Sequence, residues 1–131
     1  MAKAKKKSKN NVKKYLSCYY MAKEPIGVRE IAEIIKEQLP QVTEKMEFWE
    51  AAEVIEIETG EKCSIDIEKI ELFQEEEDQK FLRKHGINSI FAINTEESNL
   101  EQITKIFGCV IKKHSGFVCM DSQDFMPYLV Q

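Results

Sequence analysis

Val54-Ile55-Glu56-Ile57-Glu58-Thr59-Gly60-Glu61-Lys62-Cys63-Ser64-Ile65-Asp66-Ile67-Glu68 is the stretch that decides the fold of this chain. Apolar residues alternate with acids on both sides of a glycine-containing turn, and a period of two marks a half-buried strand. The stretch reads as a β-hairpin. Ile55, Ile57, Ile65 and Ile67 face a core, and Glu56, Glu58, Asp66 and Glu68 face away from it. The register follows from the same pattern. Placing all four isoleucines on one face requires partners whose numbers have an even sum, such as 57 with 65. The loop is then odd in length, most simply three residues including Gly60.

Downstream, a helix is expected from about Glu75 to His85. Acids (Glu75, Glu76, Glu77, Asp78) crowd its start and bases (Lys80, Arg83, Lys84) its end, the order a helix dipole favours, with Gly86 at C′. Residues 89–94 form an apolar strand. Ser98 and Glu101 make a capping box for a helix with Leu100, Ile103, Ile106 and Phe107 inward, ended by Gly108. Residues 109–113 and 117–121 read as a second hairpin through Ser115-Gly116. A short helical turn starts at Asp121 or Ser122 and breaks near Pro127. Upstream, Val12, Tyr15, Leu16, Tyr19 and Tyr20 match one helical face. A second helix runs from about Val28 to Leu39, with Val28, Ile31, Ala32, Ile35 and Leu39 inward, and Pro40 stops it. Residues 43–53 fit either a third helix capped by Thr43 or a strand that starts at Phe48-Trp49.

The resulting expectation is an α+β protein. N-terminal helices precede a β-β-α-β-α-β-β unit, with the helices packed on one face of a mostly antiparallel sheet of about five strands. Residues 1–10 form a disordered Lys-rich tail. Residues 11–131 form a single α+β domain, helical over 11–45 and sheet-containing over 46–131. A chain of 131 residues, 43% hydrophobic and 32% charged, can bury one core.

The net charge of −4 conceals a split. Residues 1–14 hold seven lysines (Lys3, Lys5, Lys6, Lys7, Lys9, Lys13, Lys14) and no acid, so the remainder carries an excess of eleven acids. A segment with no apolar residue but Met1, Ala2, Ala4 and Val12 cannot offset its ordering entropy by burial. No apolar run approaches the ~18 residues of a membrane span, and the lysine-rich start is not followed by the apolar segment of a secretory signal. The four cysteines (Cys18, Cys63, Cys109, Cys119) include no C-x-x-C pair and read as free, mostly buried thiols in a reducing cytoplasm.

Few residues suggest chemistry. His85, in a last helical turn, and His114, at a hairpin tip, are the two histidines. A Cys119–His114 pair is a weak match to nucleophilic catalysis. Asp121 and Asp124, three apart near His114, suit a helix cap better than a metal site. No H-x-x-x-H, calcium loop, glycine-rich phosphate loop or G-x-S-x-G elbow occurs. No catalytic residue, metal or cofactor is expected.

Two features remain. One is the outward acidic row, an apt surface for a basic partner. The other is Pro25-Ile26-Gly27-Val28-Arg29-Glu30-Ile31-Ala32-Glu33-Ile34-Ile35, which loosely resembles the opening helices of winged helix-turn-helix proteins over about half the chain. That likeness implies a recognition helix at 43–53 and a wing at 54–67. The would-be recognition helix carries Glu44, Glu47, Glu50 and Glu53 against Lys45 alone, which repels phosphate. The leading expectation is therefore a small non-enzymatic cytoplasmic module, protein-binding or inhibitory, whose partner is another protein met through Glu56, Glu58, Asp66 and Glu68. The alternative is a nucleic-acid-associated protein using the Lys3–Lys14 arm.

Overall fold

The computed structural model describes residues 14–131. Seven strands form one fully antiparallel sheet: β1 (Tyr15–Ala22), β2 (Met46–Trp49), β3 (Val54–Gly60), β4 (Cys63–Ile70), β5 (Ser89–Glu96), β6 (Phe117–Met120) and β7 (Tyr128–Val130), in the order β2-β3-β4-β5-β1-β6-β7. The helices are α1 (Val28–Gln38), the single turn α2 (Pro40–Thr43), α3 (Glu76–His85) and α4 (Leu100–His114). The α+β class is as expected, with seven strands where about five were expected.

The hairpin that opened the sequence reading pairs as its pattern requires. Ile55 faces Ile67, Ile57 faces Ile65, and all four side chains are buried. The even-sum register holds. The turn differs from three residues: Gly60 pairs with Cys63 across Glu61-Lys62, and the register shifts between Glu58 and Gly60. Lys62 adopts the left-handed conformation at φ 57. A bulge keeps the parity while tightening the loop.

On one face of the sheet these isoleucines join Leu16, Cys18, Tyr20, Phe91, Ile93 and Val118 beneath α1 and α4. The helices contribute Val28, Ile31 and Ile35, and Ile103, Ile106, Phe107 and Val110, stripes spaced for one helical face. Burying each such side chain fully contributes about 1.5–3 kcal/mol. Contrary to the one-face expectation, α3 lies on the opposite face. There Leu82 and Phe81 pack with Met21, Ile90, Phe117, Cys119 and Phe125.

The helix expected at 12–20 is the central strand β1, with Val12 outside the described residues. Burial alternates from Tyr15 to Tyr20, but the outward positions include the aromatic Tyr15 and Tyr19, so apolar residues do not alternate with polar ones and also satisfy a helical template; from Met21 onward β1 is buried on both faces. Residues 46–49 settle as strand β2, with Met46 and Phe48 inward and Glu47 and Trp49 outward. Thr43 caps no following helix; its hydroxyl donates to the Ile35 and Leu39 carbonyls at 3.1 and 3.0 Å. Pro40 opens α2, where its missing N–H costs nothing. With neither a first helix nor a helix at 43–53, the winged-helix order is absent from the N-terminal half.

Gly108 does not end the last long helix. Val110 extends the stripe of Ile103, Ile106 and Phe107, and α4 continues to His114. The strand expected at 109–113 is thus helical, and β6 pairs instead with β7. The intervening residues form a turn in which the Met126 N–H is accepted by Ser122 Oγ at 3.0 Å and Asp124 Oδ1 at 3.1 Å.

Candidate protein-binding face

The second face of the sheet is divided in two. Helix α3 and the 121–127 turn cover the part built on Met21, Ile90 and Phe117. The part built on β2, β3, β4 and the start of β1 has no described element over it. Strand pairing lines its side chains into rows. Glu47 lies opposite Glu56, Glu56 opposite Asp66, Asp66 opposite Asn94, and Asn94 opposite Ser17. A neighbouring row runs Trp49, Val54, Glu68, Ala92 and Tyr19. Glu58 sits opposite Ser64 on the other side of the first row.

All four carboxylates read from the sequence as outward are therefore on this face, and all are exposed. Three consecutive strands present Glu47, Glu56 and Asp66 side by side. Like charges directly opposite one another destabilise a sheet by roughly 0.2–1 kcal/mol per pair. Among the described residues no lysine, arginine or histidine forms an ion pair with these carboxylates. The ion pairs among the described residues include Arg29–Glu50 at 2.8 Å, Lys80–Glu77 at 3.6 Å and His114–Glu24 at 2.7 Å. Asp66 accepts a hydrogen bond from Ser64 Oγ at 3.1 Å.

Two aromatic side chains stand at opposite corners, Tyr15 at 73% exposure and Trp49 at 45%. Both offer π faces to a cation. Glu47, Trp49 and Tyr15 were not among the binding residues read from the sequence. The alternation Met46-Glu47-Phe48-Trp49 carries the signal for the first two. Of the lysine arm, Lys3 to Lys13 lie outside the described residues. Lys14 is exposed, and its carbonyl accepts from the Glu97 N–H at 2.8 Å.

The other candidates are occupied structurally. His114 ends α4, not a hairpin, and its Nδ1 is 2.7 Å from Glu24 Oε1. Cys119 is buried in the cluster beneath α3, apart from that contact. His85 packs its ring on Phe81 and Phe117. The N-terminus of α1 is filled from within: the Val28 N–H donates to Glu53 Oε2 at 3.1 Å and the Gly27 N–H to Glu30 Oε1 at 2.7 Å. All four cysteines are free thiols. Burial, with a smaller contribution from the Asp121 carboxylate, pushes Cys18 up to about 12; burial, then Cys18 and Asp121, does the same for Cys119. Tyr19 also rises to about 12, through burial first and Asp121 second. Such groups stay protonated at neutral pH and are poor nucleophiles.

Among the described residues, no group of three His, Cys, Asp or Glu side chains is placed to hold a metal ion, and no helix is long and apolar enough to cross a membrane. Comparisons with protein-family models, curated proteins and solved structures returned no match to this chain.

Proposed function

We propose that the protein is a non-enzymatic binding module that engages a basic segment of another protein on its open acidic sheet face, in a reducing, cytoplasmic setting. The observation that carries this reading is the row Glu47–Glu56–Asp66 across three neighbouring strands, without a described base paired to it. Folding alone favours opposite charges at such positions. A negative patch held at a local cost to stability attracts cations over several ångströms and speeds encounter with a basic partner. Trp49 and Tyr15 add cation–π contacts at the corners of the face.

The test is an amide-shift titration of the intact chain with three probes: a lysine- and arginine-rich peptide, an acidic peptide and a short DNA duplex. The reading expects shifts at Glu47, Glu56, Asp66 and Glu68 with the basic peptide and none with the acidic one. Shifts absent from those strands would overturn it. The seven lysines of residues 1–14 favour nucleic acid as the second reading. Binding of the duplex in its place, lost when those lysines are changed to glutamine, would establish that alternative.

A further inference from the structure

We propose that the pocket between the tip of the β3–β4 hairpin, α2 and the start of α4 is a binding site for a guanidinium group. It lies on the helical side of the sheet, opposite the open acidic face, with which it shares Glu58.

The pocket has a volume of about 570 Å³, within the range that holds small ligands. Val42 of α2 and Ile57 of β3, both members of the main core, give it an apolar floor. Thr59, Asn99 and Gln102 line it with polar groups.

Asn99 is held in one orientation. Thr95 Oγ1 donates its one proton to the Ser64 carbonyl at 2.9 Å, and Thr59 Oγ1 donates its own to Cys63 Sγ at 3.1 Å. Both hydroxyl oxygens can then only accept. They accept from Asn99 Nδ2, at 2.8 Å for Thr95 and 3.0 Å for Thr59, and Cys63 Sγ stands 3.4 Å from the same nitrogen. The two amide hydrogens are thus committed. Turned over, the amide would aim its oxygen at two oxygens with no proton to give. Asn99 Oδ1 is therefore an acceptor with no partner among the described residues. No buried side-chain oxygen among them lacks a partner, so Oδ1 is accessible. Nor does it serve the helix. Asn99 occupies the N-cap of α4, where an asparagine oxygen ordinarily accepts from the first turn, and here its side chain caps nothing. Residues of β3 and β5 hold an open acceptor in the wall of a pocket.

Charge selects the ligand. The lining carries Glu58 and Glu61 against Lys45, and neither acid is in an ion pair among the described residues. With Asn99 Oδ1 they make the pocket richer in acceptors than in donors, which disfavours a phosphate or a carboxylate and favours a cation that donates. A guanidinium is planar and presents five N–H groups in a fixed fork, so it can meet Oδ1 and a carboxylate together. It is also more weakly hydrated than an ammonium, which suits an apolar floor. The methylene stem that carries it can lie along Val42 and Ile57. Free arginine and an arginine side chain of a partner protein both bring this group.

The test is a titration of the full chain, read by amide shifts, with L-argininamide, with L-lysinamide, and with L-citrullinamide, whose urea is neutral. L-argininamide should give saturable shifts at Ile57, Thr59, Asn99 and Gln102 with a Kd on the order of 1 mM for a ligand of this size. Leu82 and Ile90, under α3, should not respond. The other two probes should bind at least about fivefold more weakly. Asn99→Ala should weaken L-argininamide about tenfold. Glu61→Gln, in the exposed turn and outside the Asn99 network, should weaken it about threefold and decides the matter where Asn99→Ala fails to fold. Free L-arginine and its N-acetyl, N-methylamide derivative separate the two sources. Tighter binding of the free amino acid assigns a small molecule, and equal or tighter binding of the blocked form assigns an arginine of a protein. Equal affinity for L-argininamide and L-citrullinamide, or an affinity that neither substitution changes, would overturn the inference. Shifts confined to Glu47, Glu56, Asp66 and Glu68 would overturn it too, while leaving the acidic-face reading intact.

Discussion

Replacing Glu56 and Asp66 by threonine, singly and together, measures the cost of the acidic row directly. Glu56 has two like-charged neighbours, Glu47 and Asp66, whereas Asp66 has one, its other neighbour being Asn94. At roughly 0.2–1 kcal/mol per opposed pair, Glu56→Thr should stabilise the fold by about 0.4–2 kcal/mol. Asp66→Thr should give less, because it relieves one pair and loses the hydrogen bond from Ser64. The double variant cannot relieve the Glu56–Asp66 pair twice. It should therefore fall short of the sum of the singles by one pair, about 0.2–1 kcal/mol. Thermal unfolding in low salt should register the Glu56→Thr gain as a rise of about 4 °C per kcal/mol for a chain of this size. In 1 M salt the Debye length drops to about 3 Å, shorter than the separation of opposed side chains, and both the gain and the shortfall should shrink by at least half. Destabilisation by Glu56→Thr, or strict additivity that ignores salt, would refute the account of the row as mutually repelling carboxylates.

Gly108 sits inside α4 with open space where a Cβ would stand, so Gly108→Ala should stabilise by about 0.5–1 kcal/mol in urea unfolding. Gly116 has φ +91 and a Cβ there would overlap the Met21 carbonyl, so Gly116→Ala should lose most of the folded population by circular dichroism. Native protein treated with a thiol reagent at pH 8 should label at the half-buried Cys63 and Cys109, and at Cys18 and Cys119 only after unfolding, as read by peptide mass spectrometry. The folded state holds the thiol protons of Cys18 and Cys119 up to about pH 12, well above the ordinary thiol value near 9.0, so the unfolded chain releases them first. This contribution to stability is complete below pH 9 and is lost as pH rises from 9 toward 12, a fall that Cys18→Ala should reduce in alkaline unfolding curves.

The hairpin register was legible because one face is buried and the other solvated, which forces strict alternation of isoleucine with acid. The same physics hid β1. Its outward positions Tyr15 and Tyr19 are aromatic, so together with Leu16 and Tyr20 four of its apolar positions coincide with a helical stripe. Gly108 misled for a related reason: a single glycine costs a helix at most about 1 kcal/mol, less than the burial of Val110 one turn beyond Phe107 returns. The acidic face was readable residue by residue, but its extent was not. Adding Glu47 and Trp49 needed the pairing of β2 with β3, and adding Tyr15 needed the non-local pairing of β1 with β5. Sequence spacing does not encode either juxtaposition.

Trp49 is the single tryptophan of the chain and stands on the face at issue, so its emission reports arrival of a ligand there. The direct measurement is the association kinetics of a lysine- and arginine-rich peptide, followed by Trp49 fluorescence across a salt series, for the native chain and for Glu56→Gln/Asp66→Asn. The account predicts a saturable emission change, an on-rate several-fold lower in the variant, and a shallower dependence of that rate on salt. Identical on-rates and identical salt slopes for the two proteins would contradict it.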